Sequence, residues 1–547
     1  MFFWHPHPTF DFWHHHSRDK HHDPPPPSAT PSEAEPYEVS LEPKENPQEL
    51  PLVRRWLAVM CISSASICVT CASSMVRRVS VPRAWDACST RLPPRLMRAL
   101  RHARDVSRWP LRQAAFVEMP VARQFHVSKE VAILGVSLFV LGLGLGPLVA
   151  GPMSETYGRN AVYRLSFSLF FACMFPVAFA PNISVYLIFR FISGYCGAAF
   201  LSVAGGSVSD MFSNAQVATP MAVYTICPFL GPELGPILSG FINQHLRWRW
   251  TFYILIIWSF VQAVALIIVV PETYIPVILK MKAKRLRETT GDPNWYASME
   301  KEHASLMRTL LANCYKPFYF LLSDHMALLL NLWDSLILGI LYLTFQAFPI
   351  VFEEKHGFNL QSTGLTFLGI ATGMLVGLCT MPYWNRKYRR YQETHGRDPG
   401  AEFRLLMGQV GGVLVPLALL WFALSTFRSV HWIVPVLASV PFGTGTYFIF
   451  TSSFTYIVVA YRPIAASALA SNTTMRTSFA AAFPLFAGQM CRALGTVGAM
   501  LLLAGLTITM APLPYVHHII QRPPSSTCTT TTTTIITTTA TATTIST

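Results

Sequence analysis

Twelve runs of about twenty mostly apolar residues punctuate the chain, each long enough to carry a helix across a bilayer. They fall at 55–75, 130–151, 161–180, 183–205, 218–243, 250–271, 325–352, 361–383, 405–426, 431–457, 465–489 and 493–513. Lipid offers the backbone no hydrogen-bond partner, so a segment at that depth must pair its own N–H and C=O groups. Helices and closed barrels do this. Barrel strands alternate polar and apolar residues, whereas these runs are continuously apolar. The expected fold class is an all-α membrane protein. Only 13% of the residues are charged, against about 25% in soluble domains.

The loops set the orientation. The loop 272–323 holds Lys280, Lys282, Lys284, Arg285, Arg287, Lys301, Arg308 and Lys316. The loop after span 8 holds Arg386, Lys387, Arg389, Arg390, Arg397 and Arg404, while the loops after spans 3, 7, 9 and 11 carry at most one each. Basic loops stay on the cytoplasmic side, which puts both termini there. The long basic loop divides the spans into two sets of six, the sign of an internal duplication. The expected organisation is a disordered cytoplasmic tail (1–54), a first half (55–271), a cytoplasmic loop (272–324), a second half (325–513) and a Thr-rich tail (514–547).

Residues 76–123 break the pattern. They hold eleven Arg against Asp86, Asp105 and Glu118, a net +8 of the chain's +14, on the non-cytoplasmic side. Such a block reads as a solvated face, as a binder of anionic lipid or nucleic acid, or as translated intron. The third reading is preferred, and no nucleic-acid partner is expected. Seven His in the first 22 residues lack an ordered scaffold, and eleven scattered Cys form no disulfide framework. No metal or cofactor is expected. The sequon at Asn182 faces outside, and that at Asn472 is buried in span 11. No phosphate-cradling loop, metal cluster or triad spacing occurs, which argues against an enzyme and against an ATP-driven pump.

Spans 2 and 3 are joined by Gly146-Pro-Leu-Val-Ala-Gly151-Pro-Met-Ser-Glu155-Thr-Tyr-Gly158-Arg159. Gly151 and Gly158 permit close approach and tight turning. Glu155 and Arg159 have the spacing of a charge pair on one helical face. The stretch resembles the loop between spans 2 and 3 of the major facilitator superfamily of transporters, with Glu155 in a position usually held by Asp. The resemblance implies two six-helix halves around a central cavity, and a cytoplasmic latch formed by Gly151, Glu155, Gly158 and Arg159. Met381 to Arg390 reads as a degenerate echo of this turn in the second half.

Span 4 carries Arg190, followed by Gly194. An intramembrane charge is costly and marks function, or the side chain snorkels to the surface. The resemblance implies a part in proton coupling. Span 5 carries Gly231-Pro232-Glu233-Leu-Gly235-Pro236-Ile-Leu-Ser239-Gly240. Gly231, Gly235 and Gly240 read as one small-residue packing stripe, and the prolines as kinks. With Pro236 the pattern resembles the span 5 signature of proton-driven exporters in the superfamily. Poor solvation there favours the uncharged carboxyl of Glu233, which suits it to carry a proton. Further matches are Arg247-Trp248-Arg249-Trp250, Pro271-Glu272-Thr273-Tyr274, Tyr342 to Phe352 and Phe483-Pro484-Leu485-Phe486. Together they are similar to the twelve-span drug:proton antiporter branch best represented in fungi. The branch's acid near the end of span 10 is missing from Val458-Val459-Ala460-Tyr461.

Trp333, Tyr342, Phe345, Phe348, Gln346 and Tyr447 are candidates to line the cavity, with Asp334 as a second proton site. The expected function is proton-coupled export of hydrophobic small molecules by a monomer in the plasma membrane. The alternatives are a polyamine or vacuolar proton antiporter, and a non-transporting or defective family member.

Overall fold

The computed structural model describes residues 37–42, 45–75, 121, 124–213, 216–301, 315, 319, 324–396, 401–461 and 465–513. The His-rich start, nearly all of the basic insert and the Thr-rich tail lie outside the described residues, as do the expectations placed on them.

Eleven helices among the described residues are long and apolar enough to cross a membrane. They are α1 (Leu52–Ser74), α2 (Glu130–Tyr157), α3 (Arg159–Ala178), α4 (Ile183–Met211), α5 (Thr219–His245) and α6 (Arg249–Val269), then α7 (His325–Lys355), α8 (Leu360–His395), α9 (Leu405–Ser425), α10 (Ile433–Ala460) and α11 (Ala468–Met510). α11 is two helices joined at Gly495, whose φ of 71° and ψ of 166° lie outside helical space. Its two limbs correspond to the expected spans 11 and 12.

Polar caps start these apolar helices. Asn182 Oδ1 accepts from Val185 N at 2.9 Å, Asp324 Oδ1 from Met326 N at 2.9 Å, and Asn359 Oδ1 from Ser362 N at 2.8 Å. Each satisfies an N–H that the first turn leaves unpaired. Burial then sorts the helices. In α7, 94% of the most apolar stretch is buried, against 28% in α6. Ile257, Phe260, Val261 and Ile268 of α6 are each more than half exposed. An apolar belt of that size is stable against lipid, so α6 is peripheral and α7 central.

The helices form two halves, α1–α6 and α7–α11, that meet along a seam. At one end of it α5 lies against α8, where a Cβ on Gly364 would come 2.7 Å from the Pro236 carbonyl. Thr474 of α11 donates to Gly144 O of α2 at 3.1 Å. The Phe229 and Phe450 rings, from α5 and α10, stack with centroids 4.4 Å apart. One expectation is corrected here. Met381 to Arg390 is not a turn: helix continues to His395 and stops at Gly396, where φ is 63°. Pro382 sits in the first turn of that stretch, where its missing N–H costs little.

Residues 37–41 and 279–301 belong to a separate small unit. Val39, Ala283 and Ala297 are buried together, Val39 N donates to Tyr296 O at 3.1 Å, and Arg287 pairs with Glu300 at 2.8 Å.

Candidate transport site

The α2–α3 junction turns at Gly158, with φ 98°. An L side chain rarely adopts that conformation, and a Cβ here would also collide with the Glu272 carboxylate. Glycine is therefore required twice over. Glu272, just beyond α6, then caps the start of α3. It accepts from Arg159 N at 2.9 Å, Asn160 N at 3.1 Å, and Thr273 N and Tyr274 N at 3.0 Å each. A carboxylate at a helix N-terminus complements both its free N–H groups and its dipole.

Arg159 extends from this cap. Its Nε lies 3.3 Å from Asp210 Oδ2 of α4, its Nη1 donates to Ser154 Oγ at 2.6 Å, and the guanidinium sits 4.8 Å from the Tyr274 ring centre. These contacts clamp the ends of α2, α3, α4 and α6 within one half. Two expectations need correcting. Glu155 is exposed and Arg159 pairs with Asp210 instead, because Gly158 breaks the helix that would have aligned Glu155 with it. A Cβ on Gly151 would meet nothing within 4 Å, so close approach does not explain that glycine.

Arg190 is fully buried, which excludes snorkelling. It donates to Gly135 O at 3.2 Å, Ala72 O at 3.0 Å and Ser73 O at 3.5 Å, and it faces Phe139 with 4.5 Å to the ring centre. The guanidinium thus joins α1, α2 and α4 through backbone carbonyls. Next to it the seam is crossed by a hydrogen bond of 3.0 Å between Ser73 Oγ and the Tyr342 hydroxyl. Tyr342 thus meets the residue whose carbonyl accepts from Arg190. Glu233 is fully buried on α5.

The small residues of α5 divide between two faces. A Cβ on Gly231 would collide with Thr70, and one on Gly235 with Ser74, both on α1. Gly240 and Pro236 instead face α8 across the seam, where a Cβ on Gly240 would lie 3.0 Å from Leu360 O. The expected single stripe is therefore two, because five residues from Gly235 to Gly240 turn the helix by about 140°.

In the second half, Asp334 is buried. It accepts from Ser453 Oγ at 2.9 Å and from Asn472 Nδ2 at 2.7 Å, and Asn472 also donates to Asn331 Oδ1 at 2.9 Å. The aromatic candidates split. Tyr342 reaches the seam, and Phe345 packs edge-on against it at 5.2 Å. Gln346 is buried on the same helix. Trp333 points the other way, onto Gly408 and Gly412 of α9, and Tyr447 packs on Gly377 of α8. Phe348 joins Phe352, Phe367 and Phe422. Trp333, Tyr447 and Phe348 are thus packing residues of the second half. Trp333 directly precedes Asp334, and one residue rotates a helical side chain by about 100°.

Sequence reasoning missed Arg476, which is 5% exposed on α11. It also set aside its neighbour Asn472. Arg476 lies over Phe454 at 4.7 Å and Phe229 at 5.5 Å. The rule that singled out Arg190, a charge inside an apolar run, would have found it.

A bundle of two helical halves, with Arg190 and Glu233 buried in the first and Asp334 and Arg476 in the second, is a multi-pass membrane protein. The Major Facilitator Superfamily model matches residues 112–484. The chain belongs to that superfamily. It is 49% identical to the efflux pump atB of Aspergillus terreus over 69% of this chain and 80% of that protein. It is 40% identical to the probable drug/proton antiporter YHK8 of Saccharomyces cerevisiae over 75% and 79%. Among solved structures, the human organic anion transporter MFSD10 superposes with a TM-score of 0.55 at 16% identity, covering 85% of this chain and all of that one. The xylose transporter XylE from E. coli follows at 0.53 and 12%, covering 86% and 99%. These two likenesses concern the fold.

Proposed function

We propose that this protein is a proton-coupled efflux transporter that exports hydrophobic small molecules across the plasma membrane by alternating access, with both termini in the cytoplasm. Drugs, toxins and the cell's own secondary metabolites are the cargo class. The observation that carries this reading is the 49% identity to an efflux pump across four-fifths of that protein's length. The pattern Gly231 to Gly240 and the buried Glu233 support the direction and the coupling.

In this reading Glu233 takes and releases the transported proton, Arg190 biases its ionisation, and Asp334 is the rival proton site. Protonation favours one facing and cargo the other, so each ligand shifts the equilibrium by its differential affinity. The test is efflux from reconstituted vesicles under an imposed pH gradient. Glu233→Gln is expected to lose gradient-driven transport while retaining cargo exchange. A mutant that still follows the gradient like wild type overturns the assignment to Glu233 and moves it to Asp334→Asn.

A further inference from the structure

We infer that Arg476 anchors an acidic group on the cargo, so that the substrates of this exporter include planar organic anions. The inference deepens the export reading and rests on it. Three observations carry it.

First, Arg476 is 95% removed from solvent, yet its Nε and Nη1 have no hydrogen-bond partner. Burying donors of a charged group without acceptors is expensive. Arg190 shows how the same chain satisfies a structural guanidinium, with three backbone carbonyls. Arg476 has no such set.

Second, Asp334 does not use those donors. Its two oxygens are taken by Ser453 at 2.9 Å and Asn472 at 2.7 Å, and no ion pair joins it to Arg476 among the described residues. The carboxylate leaves those donors open. Nε and Nη1 lie on different edges of the guanidinium, and each offers a charge-assisted hydrogen bond to an anionic oxygen.

Third, the surroundings of Arg476 suit a flat apolar body. Phe229, Phe450 and Phe454 lie within 5.9 Å of the guanidinium carbon. Phe229 belongs to the first half and Phe450 to the second, and their rings stack at 8°. When the seam opens these faces separate beside Arg476 and offer a planar ring the contact they now make with each other. Carboxylate recognition at the guanidinium and stacking at the phenyl faces together specify an aromatic acid.

The experiment uses the full chain in lipid nanodiscs and proteoliposomes. 2-Naphthoate and its neutral isostere 2-naphthamide are the paired probes, and rhodamine 6G is a cationic dye control. Wild type is expected to bind naphthoate at least about tenfold more tightly than naphthamide, the difference a charge-assisted pair supplies. Arg476→Gln is expected to abolish that preference, and Arg476→Lys to restore part of it, since Lys keeps the charge without the fork. Equal binding of the two probes to wild type overturns the inference without reference to any variant. So does an Arg476→Gln protein that keeps the preference. Wild type that drives rhodamine 6G out under the pH gradient but does not bind naphthoate sinks the anion assignment alone. Wild type that moves neither dye nor naphthoate sinks the export reading and this inference with it.

Discussion

Glu272 illustrates what a single residue contributes when a fold brings it to the right place. Its four N–H partners belong to the start of α3 and to its own following turn. Glu272→Ala is expected to cost about 1–2 kcal/mol, as for the loss of a strong cap. Gly158→Ala adds positive-φ strain to a steric conflict with the same carboxylate, about 1–3 kcal/mol. Both are measured by thermal unfolding in detergent, where the buried free thiols Cys68 and Cys71 become reactive to a maleimide dye. Arg159→Ala is expected to reduce efflux strongly at normal membrane abundance, because it unties Asp210 without touching the core. Wild-type efflux in that mutant would remove the clamp from the mechanism. Gly158 and Arg159 were legible in the sequence, since a polar turn between two apolar runs announces itself. Glu272 was visible as part of a motif but not as the cap. It lies 113 residues from Arg159, and only the packing of α6 beside α3 unites them.

At the scale of elements, the glycines of α5 were legible and their partners were not. Spacing along one helix says which residues share a face and nothing about what lies opposite. In the folded bundle Gly231 and Gly235 meet α1, within a half, and Gly240 meets α8, across the seam. Substituting Gly364→Leu overpacks the second contact alone, at a cost of about 1–3 kcal/mol. Efflux is expected to fall, and a cysteine introduced as Gln361→Cys is expected to label faster as that end of the seam spends more time open. Unchanged labelling would mean that α5 and α8 do not form a gate. The small unit provides a separate, pH-dependent prediction. The hydrogen bond from Arg287 holds the Glu300 carboxyl below its ordinary 4.5. A depressed carboxyl contributes stability above that ordinary value and loses it as pH falls through the folded value. Trp295 fluorescence is therefore expected to report loosening of 279–301 on acidification below about 4.5, and Glu300→Gln is expected to remove that transition.

For the whole molecule, continuous apolarity made the helical bundle legible, and the long basic loop pointed to its division into two sets of six. What remained hidden was which residues of a span face the seam, because that depends on helix rotation. Tyr342 and Trp333 are both aromatic and both on α7, yet one reaches the seam and the other faces α9. The insert yields a prediction at this scale. Replacing 76–123 by a linker of about ten residues is expected to raise expression and efflux, because in the proposed orientation its eleven Arg fall on the side that disfavours them. Loss of activity in a stable product would instead give the insert a function.

The seam carries a consequence for speed. Two hydrogen bonds that cross it, Ser73 with Tyr342 and Thr474 with the Gly144 carbonyl, are neutral. The charge-assisted contacts of Arg159, by contrast, stay within one half and travel with it as a rigid load. Each neutral bond is worth about 1 kcal/mol net, so breaking both adds only a shallow step to each swing. A lock built from ion pairs at the seam would have made the resting protein firmer and its turnover slower. Among the described residues the ion pair of Arg159 therefore sits where nothing has to move, and it adds nothing to the barrier of the stroke repeated for every molecule carried.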